Sequence, residues 1–180
     1  MHERGHIGLA LLFVAPYSFT LGMTYGLSFA IVSISLAVVA ADLPDHDQKI
    51  SFLSHRGITH TLWAIAIVTV GSVFVTQELF TWWVVGTPNL IPARPIVANT
   101  LPPVFARIVG VSVLLGYSSH IFGDMMTVGS EYFDMNVKPL YPLLDVSFQL
   151  GITKADSNFW NTGLFGAGSL AVASVVTITL

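Results

Sequence analysis

The sequence predicts an all-α integral membrane protein, a helical bundle of four to five transmembrane helices. Of its 180 residues, 53% are hydrophobic and only 9% are charged, whereas roughly 25% are charged in a typical soluble domain. The apolar residues form long runs, and several of these runs approach the length that crosses the hydrocarbon core of a bilayer. We therefore expect a single membrane-embedded domain, residues 1–180, in the inner or plasma membrane.

Five apolar segments are separated by polar or proline-rich stretches. They cover, in order, residues 5–19, 23–41, 60–80, 104–126 and 162–180. The first is short for a span, whereas the second has no charged residue and covers roughly 28 Å at ~1.5 Å per residue. Trp82 and Trp83 follow the third segment and suit a bilayer interface. We expect a proline-rich loop from Thr87 to Pro103, and the polar stretch 127–161 has no pattern that predicts an element.

Composition excludes several classes of function. The chain has no cysteine, which excludes disulfides, cysteine-ligated clusters and thiol catalysis. Any metal must therefore bind mainly through histidine, carboxylate or backbone oxygen. The net charge is −3 and there is no basic run, so we expect no nucleic-acid partner.

Three polar clusters stand at the ends of the apolar segments. They are residues 42–47, 55–60 and 120–124, and aspartate and histidine are prominent in them. Imidazoles and carboxylates are costly in a bilayer, so they indicate a functional site when they occur there. If every segment crosses the membrane, all three clusters lie at one membrane face and His6 joins them. The sequence therefore predicts a metal site at one end of the bundle.

His120 and Asp124 form a helical pair of candidate ligands. Their i, i+4 spacing places both side chains on one face of a helix, where they can reach one metal ion. The same spacing also fits a histidine at a helix end that is hydrogen-bonded to a carboxylate. An unpaired carboxylate in an apolar segment is expensive, and this cost favours the metal interpretation.

The aspartate cluster offers oxygen ligands. Asp45 and Asp47 follow Pro44 and are two residues apart, and carboxylates are hard ligands that divalent cations accept. The alternative is a solvated turn that caps the next helix. We interpret Asp42 as the polar residue that ends the second segment, and His46 fits either role.

The cluster HRGITH, residues 55–60, combines two histidines with an arginine. The guanidinium of Arg56 is a fork-shaped donor for phosphate or carboxylate, and the alternative is a positively charged anchor at the membrane surface. We expect Thr59 to cap the helix that follows. Because His55 and His60 flank Arg56, the cluster suits an anionic substrate held beside a metal.

The basic residues predict the orientation in the membrane. If the segments all span, the side of the N-terminus carries Arg4, Lys49, Arg56, Lys138 and Lys154, and the opposite side carries Arg94 and Arg107. Cytoplasmic loops are enriched in lysine and arginine. We therefore expect a multi-pass protein whose site faces the cytoplasm.

Five motifs together resemble those of a known family. They are GH (5–6), LPDHD (43–47), HRGITHT (55–61), LGYSSHIFGDMMT (115–127) and KPLYP (138–142). In this order they resemble the family of membrane-bound metal-dependent hydrolases first noted as regulated by the LexA repressor in bacteria. That family is distantly similar to zinc-dependent phospholipase C and its related single-strand nucleases, which are helical proteins. Gln48 departs from the family pattern, which has histidine there.

The resemblance implies a ligand set and a reaction. The metal ligands that it implies are His6, Asp45, Asp47, His55, His60, His120 and Asp124. Zinc fits this mixture of ligands best, and manganese is the second choice. The implied reaction is hydrolysis of a phosphoester in a membrane lipid or another amphiphile, with Arg56 as the clamp of the anion and Asp47 as a second catalytic residue.

A transporter or sensor that binds metal without hydrolysis is the alternative function. Transport across the membrane requires acids or histidines along the whole path. The side opposite the clusters offers only Glu78, so the ligands form a pocket at one face rather than a route. This distribution favours the hydrolase hypothesis.

Overall fold

The protein is a bundle of five α-helices, as the sequence predicts. The computed structural model describes residues 1–51, 56–86, 95–128 and 136–180. The helices are α1 (Glu3–Tyr25), α2 (Leu27–Asp42), α3 (Leu62–Gly86), α4 (Pro95–Met126) and α5 (Asn158–Thr179). Within these four ranges there is no β-strand, only two isolated bridges. The all-α fold class is therefore confirmed.

Four helices are long and apolar enough to cross a membrane. They are Glu3–Tyr25, Leu62–Trp83, Thr100–Met126 and Asn158–Thr179. Helix α2 is apolar but has only 16 residues, which is fewer than the roughly 20 that a perpendicular span needs. The bundle thus has four candidate spans and one shorter apolar helix, in agreement with the predicted four to five.

Three boundaries differ from those predicted. The first segment is not short, because α1 has 23 residues and includes Met23, which the sequence assigned to the second segment. Gly26 separates α1 from α2 with a φ of 95°, a conformation that glycine adopts at little cost. The third helix begins at Leu62, since residues 58–60 form a turn of 3₁₀-helix instead.

The predicted proline-rich loop is wrong for residues 95–103, which are helical. Pro102 and Pro103 lie inside α4, where each removes a backbone donor. Membrane helices tolerate proline because neighbouring helices and local adjustments satisfy the freed carbonyl groups. Residues 87–94 of the predicted loop lie outside the described ranges.

The helices pack closely through small residues. Helix α1 contacts α2, α4 and α5, and α4 also contacts α2 and α3. A Cβ atom at Gly116 in α4 would collide with the carbonyl oxygen of Ala37 in α2, and one at Gly168 in α5 would collide with that of Gly8 in α1. Small residues allow this approach, which stabilises helix pairs in lipid through van der Waals contact.

The segments between the helices converge at one end of the bundle. A six-residue 3₁₀-helix, Pro44–Lys49, follows α2, and a short one, Ile58–His60, precedes α3. After α4, the chain returns to the same end, where the amides of Leu150 and Ile152 donate to the carbonyl groups of Met125 and Met126. This end holds the polar residues that the sequence singled out.

Candidate metal site

Four predicted ligands lie close together at this end. Asp45, His60, His120 and Asp124 each offer one ligand atom, and these atoms all lie within 4.8 Å of one another. The Nε2 atom of His60 is 3.3 Å from Oδ2 of Asp124, and that of His120 is 3.4 Å from Oδ1 of Asp45. Ligands that surround zinc in a tetrahedron stand roughly 3.3 Å apart, since each bond is about 2.0–2.1 Å long. The shortest spacings in this group therefore fit a small divalent cation.

His120 is oriented by the end of a neighbouring helix. Its Nδ1 atom donates to the carbonyl oxygen of Ala41, at 2.6 Å, and this carbonyl belongs to the last turn of α2, where no helical partner remains. The bond fixes the tautomer and directs Nε2 into the group. That atom is buried and has no hydrogen-bond partner among the described residues. Such an unsatisfied atom is costly in the absence of a ligand.

His60 is held by a relay of two side chains. The hydroxyl of Thr59 donates to Oδ2 of Asp47 at 2.7 Å, so its oxygen accepts from Nδ1 of His60 at 3.0 Å. The second nitrogen of His60 is then directed toward Asp45 and Asp124. Outer partners of this kind orient a metal-binding imidazole and raise its basicity.

Asp47 therefore lies behind a candidate ligand. It is 1% exposed and also accepts from the backbone amide of Arg56. It is not one of the four residues whose ligand atoms converge. Its predicted role as a direct ligand stays a prediction, while its contacts give it a positioning role for His60.

Arg56 contacts Asp124 from the other side. Its Nη2 atom donates to Oδ1 of Asp124 at 2.8 Å, and its side chain is 8% exposed. Its backbone has a φ of 58°, which is uncommon for a residue with a side chain and often marks a functional site. Sequence reasoning weighed an anion clamp and a membrane anchor for Arg56. The structure adds a third role, the orientation of Asp124.

Asp124 is the centre of the polar network. Its Oδ2 atom faces His60 and His120, whereas Oδ1 receives the Arg56 guanidinium and the α-amino group of Met1, the latter at 2.9 Å. Two cationic donors compensate for the burial of this carboxylate. The contact of Met1 was not predicted, because a terminal amino group has no sequence signature.

His6 stacks on the group without belonging to it. Its ring is parallel to that of His120, with centroids 3.8 Å apart, and its Nε2 atom lies 3.4 Å from Oδ1 of Asp124. Its Nδ1 atom is buried without a hydrogen-bond partner among the described residues. These distances bring His6 together with Asp45, His60, His120 and Asp124 at one end of the bundle, and the role of His6 as a ligand stays a prediction. His55 lies outside the described residues.

Carboxylates and imidazoles shift each other's pKa in this group. Burial raises the pKa of Asp45, but the neighbouring imidazoles of His120 and His60 outweigh burial and lower it below its usual value. Burial lowers the pKa of His60, but the carboxylates of Asp124 and Asp45 outweigh burial and raise it above its usual value. The carboxylates therefore attract positive charge to the centre, and a metal ion would compete there with protons.

Two further residues secure the surroundings of the site. Tyr117 in α4 donates from its hydroxyl to the carbonyl oxygen of Thr59 at 2.7 Å, which ties the HRGITH segment to α4. Thr61 accepts from the amide of Ala64 and so caps the start of α3. The prediction that Thr59 caps this helix is wrong, because its hydroxyl is directed to Asp47 instead.

A groove opens beside the group, between the start of α1 and the end of α2. Its volume is about 450 Å³, with His120 and Asp45 in its lining. Ile7, Val38 and Val39 contribute apolar lining. Asp42 and His46 also line it, and both are exposed. The groove thus joins the polar group of Asp45 and His120 to apolar helix surface.

The chain belongs to the YdjM inner membrane protein family, whose model matches residues 1–179. Comparisons with curated proteins and with solved structures found no match. The family description gives a location, the inner membrane, and it agrees with the four apolar helices. It names no reaction, so the activity has to be argued from the site.

Proposed function

We propose that the protein is a membrane-embedded, metal-dependent hydrolase that acts on a phosphoester of a lipid or another amphiphile. The observation that carries this proposal is the buried group of Asp45, His60, His120 and Asp124, which borders a groove with an apolar wall. A metal group and a groove of this kind together suit an amphiphilic anion.

A divalent metal ion, zinc or manganese, would be held by these four residues. Two imidazoles and two carboxylates are a ligand set that zinc accepts, with manganese next. The Nε2 atom of His120, which is buried without a hydrogen bond and lies 3.4 Å from Asp45, supports this assignment. When bound, such a metal lowers the pKa of water and neutralises charge on a phosphoryl oxygen.

The chain's own residues would position these ligands. Arg56 holds Asp124 through a short charged hydrogen bond, and Asp47 holds His60 through Thr59. In this proposal both act through a ligand, so they are positioning residues rather than groups that touch the substrate. Asp45 is the most exposed of the four, at 33% of its side chain, and it borders both the metal group and the groove.

A metal transporter is a weaker candidate. Within the four candidate spans, every acid and histidine lies at the site end except Glu78 in α3. Glu78 is exposed on the outer surface of the bundle. Among the residues that the structure describes, no chain of ligands therefore leads from the site to the opposite side, as a transport path would require.

Turnover of defined lipids by the metal-loaded protein tests the proposal. The protein would be reconstituted in nanodiscs and offered a phosphodiester lipid, a lipid phosphomonoester and a carboxyl ester. We expect cleavage of a phosphoester that stops on chelation and returns when zinc or manganese is added. Turnover of the carboxyl ester alone would assign the site to another class of hydrolase.

We also propose that the site faces the cytoplasm, because most basic residues lie at its end of the bundle. The chain has no cysteine, so a single cysteine reports its side cleanly. In intact spheroplasts, an impermeant thiol reagent should label Tyr25→Cys, at the opposite end, and should leave Ser51→Cys unlabelled until the membrane is opened. The reverse pattern would place the site on the other side.

A further inference from the structure

The chain between α4 and α5 exposes an unusual amount of apolar surface. Every residue from 140 to 152 is exposed, and we call this segment the apolar loop. Leu143 is 71% exposed, Val146 57% and Leu144 54%. Its only charged residue is Asp145. Contiguous apolar surface of this kind marks a binding surface rather than a loop in water.

Two polar side chains of the apolar loop are bonded to other parts of the protein. Gln149 donates to the carbonyl oxygen of Thr127 at 2.9 Å, and Asp145 forms an ion pair with Lys138 at 2.9 Å. Residues 144–152 alternate between large apolar residues and small or polar ones, and alternate side chains of an extended chain point to opposite faces. The large apolar side chains of this stretch therefore share one face, and all of them are exposed.

Several backbone amides of the apolar loop already have hydrogen-bond partners within the protein. The amides of Phe148, Leu150 and Ile152 donate to carbonyl groups of residues 137, 125 and 126, at 2.7–2.9 Å. Unpaired amides are costly when they leave water. Because these amides are paired within the protein, this part of the loop can enter an apolar medium at a small cost.

The apolar loop starts where a lipid-facing helix begins. The amide of Leu62, the first residue of α3, donates to the carbonyl oxygen of Pro139. In the candidate span of α3, Ile65 is buried against the bundle, whereas the other residues are exposed or half-buried, and Leu62 and Trp63 are 50% and 45% exposed. At this point the apolar surface of a spanning helix therefore meets that of the loop.

We propose that the apolar loop lies in the membrane interface and contacts the boundary between lipid headgroups and acyl chains. Its continuity with the lipid-facing surface of α3 favours lipid over a protein partner. Aromatic and aliphatic side chains such as Tyr141 and Leu143 suit this depth. The surface is independent of the proposed hydrolysis, but it would hold the metal site close to the headgroups of its own leaflet.

Single cysteines that carry an environment-sensitive fluorophore test this placement. Leu143→Cys and Val146→Cys report on the apolar loop, and Ser51→Cys, in the exposed turn after the aspartate cluster, is the matched control at the same end of the bundle. In proteoliposomes we expect blue-shifted emission at 143 and 146, with quenching by nitroxide-labelled lipids several-fold stronger than at 51. Circular dichroism and gel filtration would verify that each variant is folded.

Two results would overturn the proposal. Emission at 143 and 146 as red-shifted as that at 51 would show that the loop lies in water. Blue-shifted emission without quenching by lipid would show that another protein surface covers the loop. Both readouts are independent of metal binding and catalysis, so they distinguish this inference from the proposed function.

Discussion

Two regions of this bundle, the contact between α2 and α4 and the site end, differ in whether their buried polar atoms have hydrogen-bond partners. In the middle, Ser33 of α2 and Ser112 of α4 form a hydrogen bond of 2.8 Å, and Ser112 also bonds to the carbonyl oxygen of Ile108. At the site end, Nε2 of His120 and Nδ1 of His6 are buried without such partners among the described residues. The contact between α2 and α4 is thus closed by its own hydrogen bonds, whereas the site end retains ring nitrogens that a ligand can satisfy. The contrast separates polar residues that serve packing from those that serve binding.

The largest effect on metal binding should come from a substitution at the site end. His120→Ala removes a ligand atom and should abolish stoichiometric metal binding, which elemental analysis of purified protein would measure. His46→Ala is the matched control, because this exposed histidine lies outside the ligand group, and it should retain the metal. Full metal content in His120→Ala with native circular dichroism would contradict the assignment.

A smaller effect should come from the relay behind His60. Thr59→Val removes the hydroxyl that links Asp47 to His60 and should weaken metal affinity about 10–100-fold, as changes to outer partners typically do. Competition with a chelating dye at fixed pH would measure the change. Thr24→Val, at the opposite end of α1, is the control. Equal metal affinities in the two variants would show that the contacts among Asp47, Thr59 and His60 do not contribute to metal binding.

A substitution that disturbs packing between α2 and α4 should lower the stability of the protein and leave its metal affinity unchanged. Gly116→Ala places a methyl group against the carbonyl oxygen of Ala37, and overpacking of this kind costs about 1–3 kcal/mol. Gly166→Ala is the control, since a Cβ there meets no atom within 4 Å. Unfolding in a denaturing detergent would compare them. If both variants are equally stable, α2 and α4 are not packed as closely as described.

The smallest effect should come from the serine pair. Ser112→Ala leaves Ser33 without its buried partner, and interhelical hydrogen bonds in membranes contribute about 0.6 kcal/mol on average. The same unfolding assay should show a loss of that order, with unchanged metal content. Ser174→Ala, on the exposed face of α5, should show none. A loss of metal in Ser112→Ala would show that the serine pair contributes to metal binding as well as to packing.

Local patterns were sufficient to predict most of the helices and to single out the four residues that converge in the structure. Apolar runs of span length predicted the bundle, and the i, i+4 spacing predicted that His120 and Asp124 share a helical face. These signals act within one segment, so they can be read from one stretch of sequence. Pro102 and Pro103 were misassigned to a loop because the preference of proline for loops is weaker inside a membrane.

Contacts between distant segments could not be predicted in this way. The bond from His120 to the carbonyl oxygen of Ala41 joins residues 79 apart, and that from Arg56 to Asp124 joins residues 68 apart. A backbone carbonyl has no residue-specific signal, and an arginine beside a histidine motif is equally consistent with several roles. Which groups meet is decided by how the helices cross, and this information is distributed over the whole chain.

The network around Asp124 cross-links the chain without a covalent bond. It joins Met1, Arg56 and His60 to α4, in a protein that has no cysteine with which to form a disulfide. Asp45 and His60 lie in the segment between α2 and α3, and His120 and Asp124 lie in α4. No single segment of the chain therefore contains the whole site. If the group holds a metal ion as proposed, metal content would report complete assembly of the bundle, and a misassembled chain should fail to retain the ion.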